Sequence, residues 1–71
     1  MGVIWMKINI LIKMIRKEKN ITLQELSIKS GISSTHINDI ENNIKSPSLY
    51  AMIRISMALN VKITGLYKVK W

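Results

Sequence analysis

Four carboxylates (Glu18, Glu25, Asp39 and Glu41), one histidine (His36) and no cysteine are the groups with which this 71-residue chain could do acid–base, thiol or metal chemistry. Their spacing builds no catalytic site. Glu25 follows Thr22 by three places, the spacing of a helix capping box, in which hydroxyl and carboxylate each satisfy an orphaned backbone N–H. His36 has no second imidazole or thiolate with which to share a metal, so a partly packed ring or a phosphate contact is expected of it. No nucleophile–histidine pairing or phosphate-binding glycine loop can be assembled. Neither enzymatic activity nor a cofactor or metal ion is expected.

Positive charge is abundant. Eleven Lys and Arg residues against four acids leave a net charge of +7. Such an excess on so small a body favours a polyanionic partner, nucleic acid ahead of an anionic membrane. Lys7 and Lys13 divide the apolar first fifteen residues, whereas a spanning helix needs about 20 apolar residues. A secretory signal would place its charge ahead of the apolar run and end in a small-residue cleavage site. Neither pattern is present, so no membrane partner is expected and the expected location is the cytoplasm.

The elements that must position these residues follow from apolar periodicity. Seventy-one residues support one domain, and a 48% hydrophobic content suffices for a packed core. Ile8, Leu11, Ile12 and Ile15 recur at helical spacing, predicting a first helix over about 7–19 that ends at Asn20. Thr22 caps a second helix from Leu23 to Ser30, and Gly31 ends it because glycine accepts a positive φ. Ser33 or Ser34 caps a third helix that turns Ile37 and Ile40 inward and runs to about Asn42. Pro47 marks the loop that follows. Ser48 starts a fourth helix with Leu49, Met52, Ile53, Ser56 and Leu59 on its apolar side, ending at Asn60. Ile63, Leu66 and Tyr67 suggest a short fifth helix, capped by Thr64 or by the preceding loop. No strand alternation is long enough for a sheet, although 3–6 could form an extended arm. The predicted fold is all-α, a compact bundle of about five short helices.

Between Ile21 and Asn43 the sequence ITLQELSIKSGISSTHINDIENN carries Leu26, a small Ser27, the turn Gly31 and apolar Ile32, Ile37 and Ile40. This stretch closely resembles the helix-turn-helix of the phage-repressor/Cro (XRE-type) family. With IENN and SPSL after it, the resemblance extends over roughly residues 8–66. It implies a lambda-repressor-like DNA-binding domain at 8–67, preceded by an arm at 1–7 and followed by a tail at 68–71. It also implies a structural ion pair between Arg16 and Glu41. Two positions depart from the family pattern. Leu23 stands where a phosphate-touching glutamine is common, and Asn43 stands where glycine is common.

In that family the third helix lies in the major groove. The resemblance assigns base contacts to Ser34, Thr35, Asn38 and Asp39. Asn38 suits adenine N6 and N7, and Asp39 suits cytosine N4. Phosphate contacts fall to Lys13, Lys17, Thr22, Gln24, Ser33, Asn42, Asn43, Lys45 and Ser46. The expected function is sequence-specific reading of double-stranded DNA by a transcriptional regulator, a repressor, on a palindromic operator. Surplus apolar residues at both ends (Trp5, Met6, Ile10, Met14, Tyr67, Val69 and Trp71) point to a homodimer formed through the fifth helix and tail, with or without the N-terminal arm. The alternative is a protein-interaction module on the same fold, an antitoxin or co-regulator subunit. A regulatory protein partner is compatible with either reading.

Overall fold

The computed structural model describes residues 7–70. The expected arm over 3–6, with Trp5 and Met6, and the terminal Trp71 lie outside the described residues. Four α-helices, a 3-10 turn and one two-stranded antiparallel sheet make up the fold: β1 (Lys7–Ile10), α1 (Ile12–Glu18), α2 (Leu23–Ser30), α3 (Ser34–Glu41), α4 (Leu49–Leu59), the 3-10 turn Ile63–Leu66 and β2 (Tyr67–Lys70).

The sheet corrects the all-α, five-helix expectation. Lys7 opposes Lys70, Ile8 opposes Val69, Asn9 opposes Lys68 and Ile10 opposes Tyr67. Both strands alternate polar and apolar residues, but over only four positions each. The same Ile8 also fits a helical repeat with Leu11, Ile12 and Ile15, and local sequence favours neither. Pairing with a strand some sixty residues away decides the matter. The Leu11 N–H donates to the Leu66 carbonyl at 2.8 Å, so α1 starts late, where the chain leaves the sheet. The expected fifth helix is a single 3-10 turn with no side-chain cap, after which Tyr67 is already extended. Lys7, the last residue of the expected arm, and 68–70, most of the expected tail, lie in the sheet.

Helix ends follow the local chemistry closely. Thr22, Ser33 and Ser48 each accept a backbone N–H from three residues on, starting α2, α3 and α4. Asn20, Asn43 and Asn60 all adopt positive φ. Each sits at a helix C-terminus, with the next residue's N–H reaching back five places: Ile21 to Arg16, Ile44 to Asp39 and Val61 to Ser56. This is the Schellman geometry, and it satisfies carbonyls the helix leaves open. Gly31 ends α2 at φ 75°.

The core gathers Ile12, Leu26, Ile37, Ile40, Ala51, Met52, Ile55, Leu59 and Leu66. Ile32, expected inside, is half-buried against it. On α4 the inward face is Ala51, Met52, Ile55, Ser56 and Leu59, while Leu49 and Ile53 are exposed. Apolar residues surround this helix, so its sequence allowed two inward faces. Packing against α2 and the 3-10 turn selects one. Among the described residues no helix is long and apolar enough to cross a membrane.

Candidate nucleic-acid interface

Ile37 and Ile40 are fully buried, which fixes the rotation of α3 and turns Thr35, Asn38 and Asp39 away from the core, with Ser34, three residues before Ile37, at the flank. Thr35 and Asn38 are exposed; Ser34 and Asp39 are half-buried. The sequence left the α3 cap open between two serines, and it is Ser33, whose Oγ accepts from the His36 N–H at 3.1 Å. His36 is half-buried. Among the described residues no group of three or more potential metal-ligating side chains comes together.

Asn38 is not a free amide. Asn42 Nδ2 donates to the Asn38 side-chain Oδ1 at 3.1 Å and to its backbone carbonyl at 2.9 Å. An amide oxygen has two lone pairs, so one acceptor site and both Nδ2 hydrogens of Asn38 remain for a base edge. Sequence reasoning placed Asn42 against a phosphate and missed this pairing. Its one signal was the four-residue spacing of two amides on a helix, which is common and therefore weak.

The loop after α3 is folded back onto it. The Asp39 carbonyl accepts the N–H groups of Ile44 (2.8 Å) and Lys45 (3.3 Å), with Asn43 supplying the reversal at φ 60°. Lys45 Nζ stands 4.0 Å from the Asp39 carboxylate. The one carboxylate on the outward side of α3 therefore has a cation beside it. Lys45 and Ser46 are exposed next to the end of the helix.

The α2 end of the unit is held by two reciprocal bonds: the Glu25 N–H donates to Thr22 Oγ1 at 3.1 Å, and the Thr22 N–H to Glu25 Oε1 at 3.0 Å. The backbone and hydroxyl bonds from Thr22 hold the Glu25 carboxyl below the usual glutamate range, and Lys29 adds to this. Gln24 is exposed, whereas Leu23 is half-buried against the core. Leucine at that position thus extends the core where a glutamine would face solvent. Lys13 and Lys17 are exposed one turn apart on α1. Among the described residues no hydrogen bond or ion pair joins them, or Gln24, to the outward side of α3.

Two fastenings hold this arrangement. Arg16 of α1 meets Glu41 of α3 side-on, Nε to Oε2 at 2.8 Å and Nη2 to Oε1 at 3.2 Å, with Nη1 donating to the Ile21 carbonyl. Both side chains are nearly buried, at 11% and 2% exposure, as the ion-pair expectation required. The second fastening was not foreseen. Arg54 of α4 donates Nε to the Ser30 carbonyl at 2.9 Å and lies 5.8 Å from the Tyr50 ring centre. Buried Ser30 donates to the Ser27 carbonyl and accepts the Ile32 N–H, bridging the turn between α2 and α3. Nothing in the local sequence around Arg54 indicates that it reaches a residue 24 positions away.

A family model described as helix-turn-helix matches residues 12–66. The chain is 35% identical over 60 residues to the HTH-type transcriptional regulator SinR of Bacillus licheniformis, an alignment covering 83% of this chain and 54% of that protein. It is 37% identical over 60 residues to the ImmF control region 10 kDa protein of Bacillus phage phi105, covering 84% of this chain and 67% of that one. Among solved structures it resembles SinR, the master regulator for biofilm formation, in complex with DNA. That match has a TM-score of 0.71 and 35% identity, covering 75% of this chain and 86% of that one. The chain spans about half the length of the SinR relative it matches.

Proposed function

The chain belongs to the helix-turn-helix family of phage-repressor and Cro type, and from that premise we propose that it is a sequence-specific double-stranded DNA-binding transcriptional regulator. The observation that carries this reading is the outward side of α3. Thr35, Asn38 and the half-buried Asp39 face away from Ile37 and Ile40, with half-buried Ser34 at the flank and the Asn38 amide oriented by Asn42. A helix so equipped suits the major groove, where each base pair presents a distinct set of donors and acceptors. The DNA complex formed by SinR supports the same reading.

In this scheme Asn38 takes adenine N6 and N7, Asp39 accepts from cytosine N4, and Ser34 and Thr35 meet neighbouring edges. Thr22, Gln24, Ser33, Asn43, Lys45 and Ser46 approach phosphates on either side, with Lys13 and Lys17 adding charge from α1, while the Asn42 amide stays with Asn38 instead of the expected phosphate. Binding involves no chemical step; its effect is occupancy. A domain seated in the groove excludes other proteins from the same base pairs, so the reading extends to a cytoplasmic repressor.

We assign it a homodimer on a palindromic operator. Two copies related by a twofold axis match two half-sites one helical turn apart. Ile8 and Val69, opposite each other in the sheet and both exposed, provide apolar surface at the terminal elements for that contact.

Selection from random duplex DNA tests the proposal. Enriched symmetric half-sites whose recovery depends on Asn38 and Thr35 are expected. Recovery of no sequence above background would reject it in favour of a protein-interaction module.

A further inference from the structure

The two-stranded sheet is amphipathic in an unusual way. Residues directly opposite in an antiparallel pair share a face, so Ile8, Ile10, Tyr67 and Val69 fall on one side and Lys7, Asn9, Lys68 and Lys70 on the other. The apolar side borders a groove whose far wall is the loop Asn43–Pro47 that follows α3. The polar side forms a shallow depression of about 390 Å³ lined by the three lysines, Asn9 and Val69.

All three lysines are exposed, and Lys7 and Lys70 are directly opposite each other. A like-charge cross-strand pair destabilises a sheet, and two strands alone are already marginal. None of the chain's four acids relieves it. Glu41 is bound to Arg16, Asp39 stands beside Lys45, Glu25 closes its capping box, and Glu18 makes no ion pair among the described residues. Both strands lie outside the segment matched by the family model.

We propose that this lysine face is a second, sequence-independent phosphate-binding surface, which holds the DNA backbone flanking the segment read by α3. The inference rests on the DNA-binding reading above and extends it to residues that reading does not use. Charge complementarity identifies the occupant as a polyanion. The separation of faces selects nucleic acid over a membrane, because an interfacial binder needs apolar side chains beside its lysines to enter the headgroup layer. Here Val69 alone borders the lysines, and Ile8, Ile10 and Tyr67 are on the opposite face. Through its apolar side the sheet borders the loop that carries Lys45 and Ser46, and its lysine side is turned outward from that loop.

Removing one lysine–phosphate pairing makes the slope of log affinity against log salt shallower by about 0.9. The experiment compares the parent, the triple variant Lys7→Gln/Lys68→Gln/Lys70→Gln and its Arg counterpart on two duplexes. One duplex ends with the selected site, and the other continues for about 10 bp, one helical turn, on each side. The Gln variant should have a slope shallower by about two to three per protomer on the long duplex only, and the Arg variant should keep the parent's slope. An Asn38→Ala protein, measured alongside, tests the α3 reading by itself, since it should bind the selected site more weakly with an unchanged slope. A Gln variant with the parent's slope on both duplexes overturns the inference. If that variant instead self-associates, the lysines only guard the sheet edges. If it loses binding to phosphatidylserine vesicles, the occupant is a membrane.

Discussion

Arg54 Nε lies 2.9 Å from the carbonyl oxygen of Ser30, so a side chain of α4 closes the end of α2 where the chain turns toward α3. The turn is tight enough that a Cβ on Gly31 would sit 2.9 Å from Arg54 Nη2. The geometry of the helix-turn-helix is thus held from outside the motif.

Replacing Arg54 by Ala should cost about 1.5–3 kcal/mol, the worth of a charge-assisted bond to a part-buried backbone carbonyl. Gly31→Ala should cost about 1 kcal/mol or more, from a left-handed φ of 75° and from displacement of the guanidinium. In the double variant the second cost should shrink, because the arginine is no longer there to be displaced. Urea unfolding of the four proteins measures this coupling, and strict additivity would contradict it.

Arg16→Ala should be far more damaging. It leaves the Glu41 carboxylate, 2% exposed, without its partner. Stranding a buried charge costs about 3–5 kcal/mol, a large share of the stability of a small domain. An apolar replacement of both residues, Arg16→Met with Glu41→Leu, should recover most of the loss. A melting temperature for Arg16→Ala within error of the parent would show that the pair contributes nothing.

Asn38→Ala should weaken binding to the selected duplex by about 1–3 kcal/mol, roughly five- to 150-fold, and relax preference at a single base pair. Asn42→Ala should have a smaller effect, by freeing the Asn38 amide to rotate. Gel-shift titrations against all four base pairs at that position distinguish the two. Asn42→Ala should lower affinity for the preferred base while leaving the same base preferred.

Acid should weaken the N-terminal cap of α2. Glu25 has its folded-state pKa lowered by its bonds to Thr22, so the ionised form favours the folded state. Its contribution is complete above the unfolded-state glutamate pKa and is lost as pH falls through the lower folded-state value. Glu25→Gln, which can still bond the Thr22 N–H, should lose that acid dependence while retaining the cap. Stability measured through the carboxylate range for both proteins should therefore converge toward low pH.

The sequence by itself determined the features whose physics is local. The Thr22–Glu25 box, the Ser48 cap and the left-handed Asn20, Asn43 and Asn60 each depend on residues within a few places, and the α3 cap was narrowed to Ser33 or Ser34. The helix-turn-helix pattern added Ile37, Ile40 and the distant Arg16–Glu41 pair, as a resemblance carrying long-range knowledge that periodicity lacks. Tertiary structure decided the rest. Residues 7–10 became a strand because 67–70 came to lie beside them, and α4 turned Ile55 inward and Ile53 outward because α2 and the 3-10 turn select one of two apolar faces. Arg54 found the Ser30 carbonyl, and the lysines of β1 and β2 were brought onto one face. The strand pairing and the Arg54–Ser30 bond join residues 24 to 63 positions apart, and no short-range pattern in the chain encodes a contact whose partner is placed by the fold.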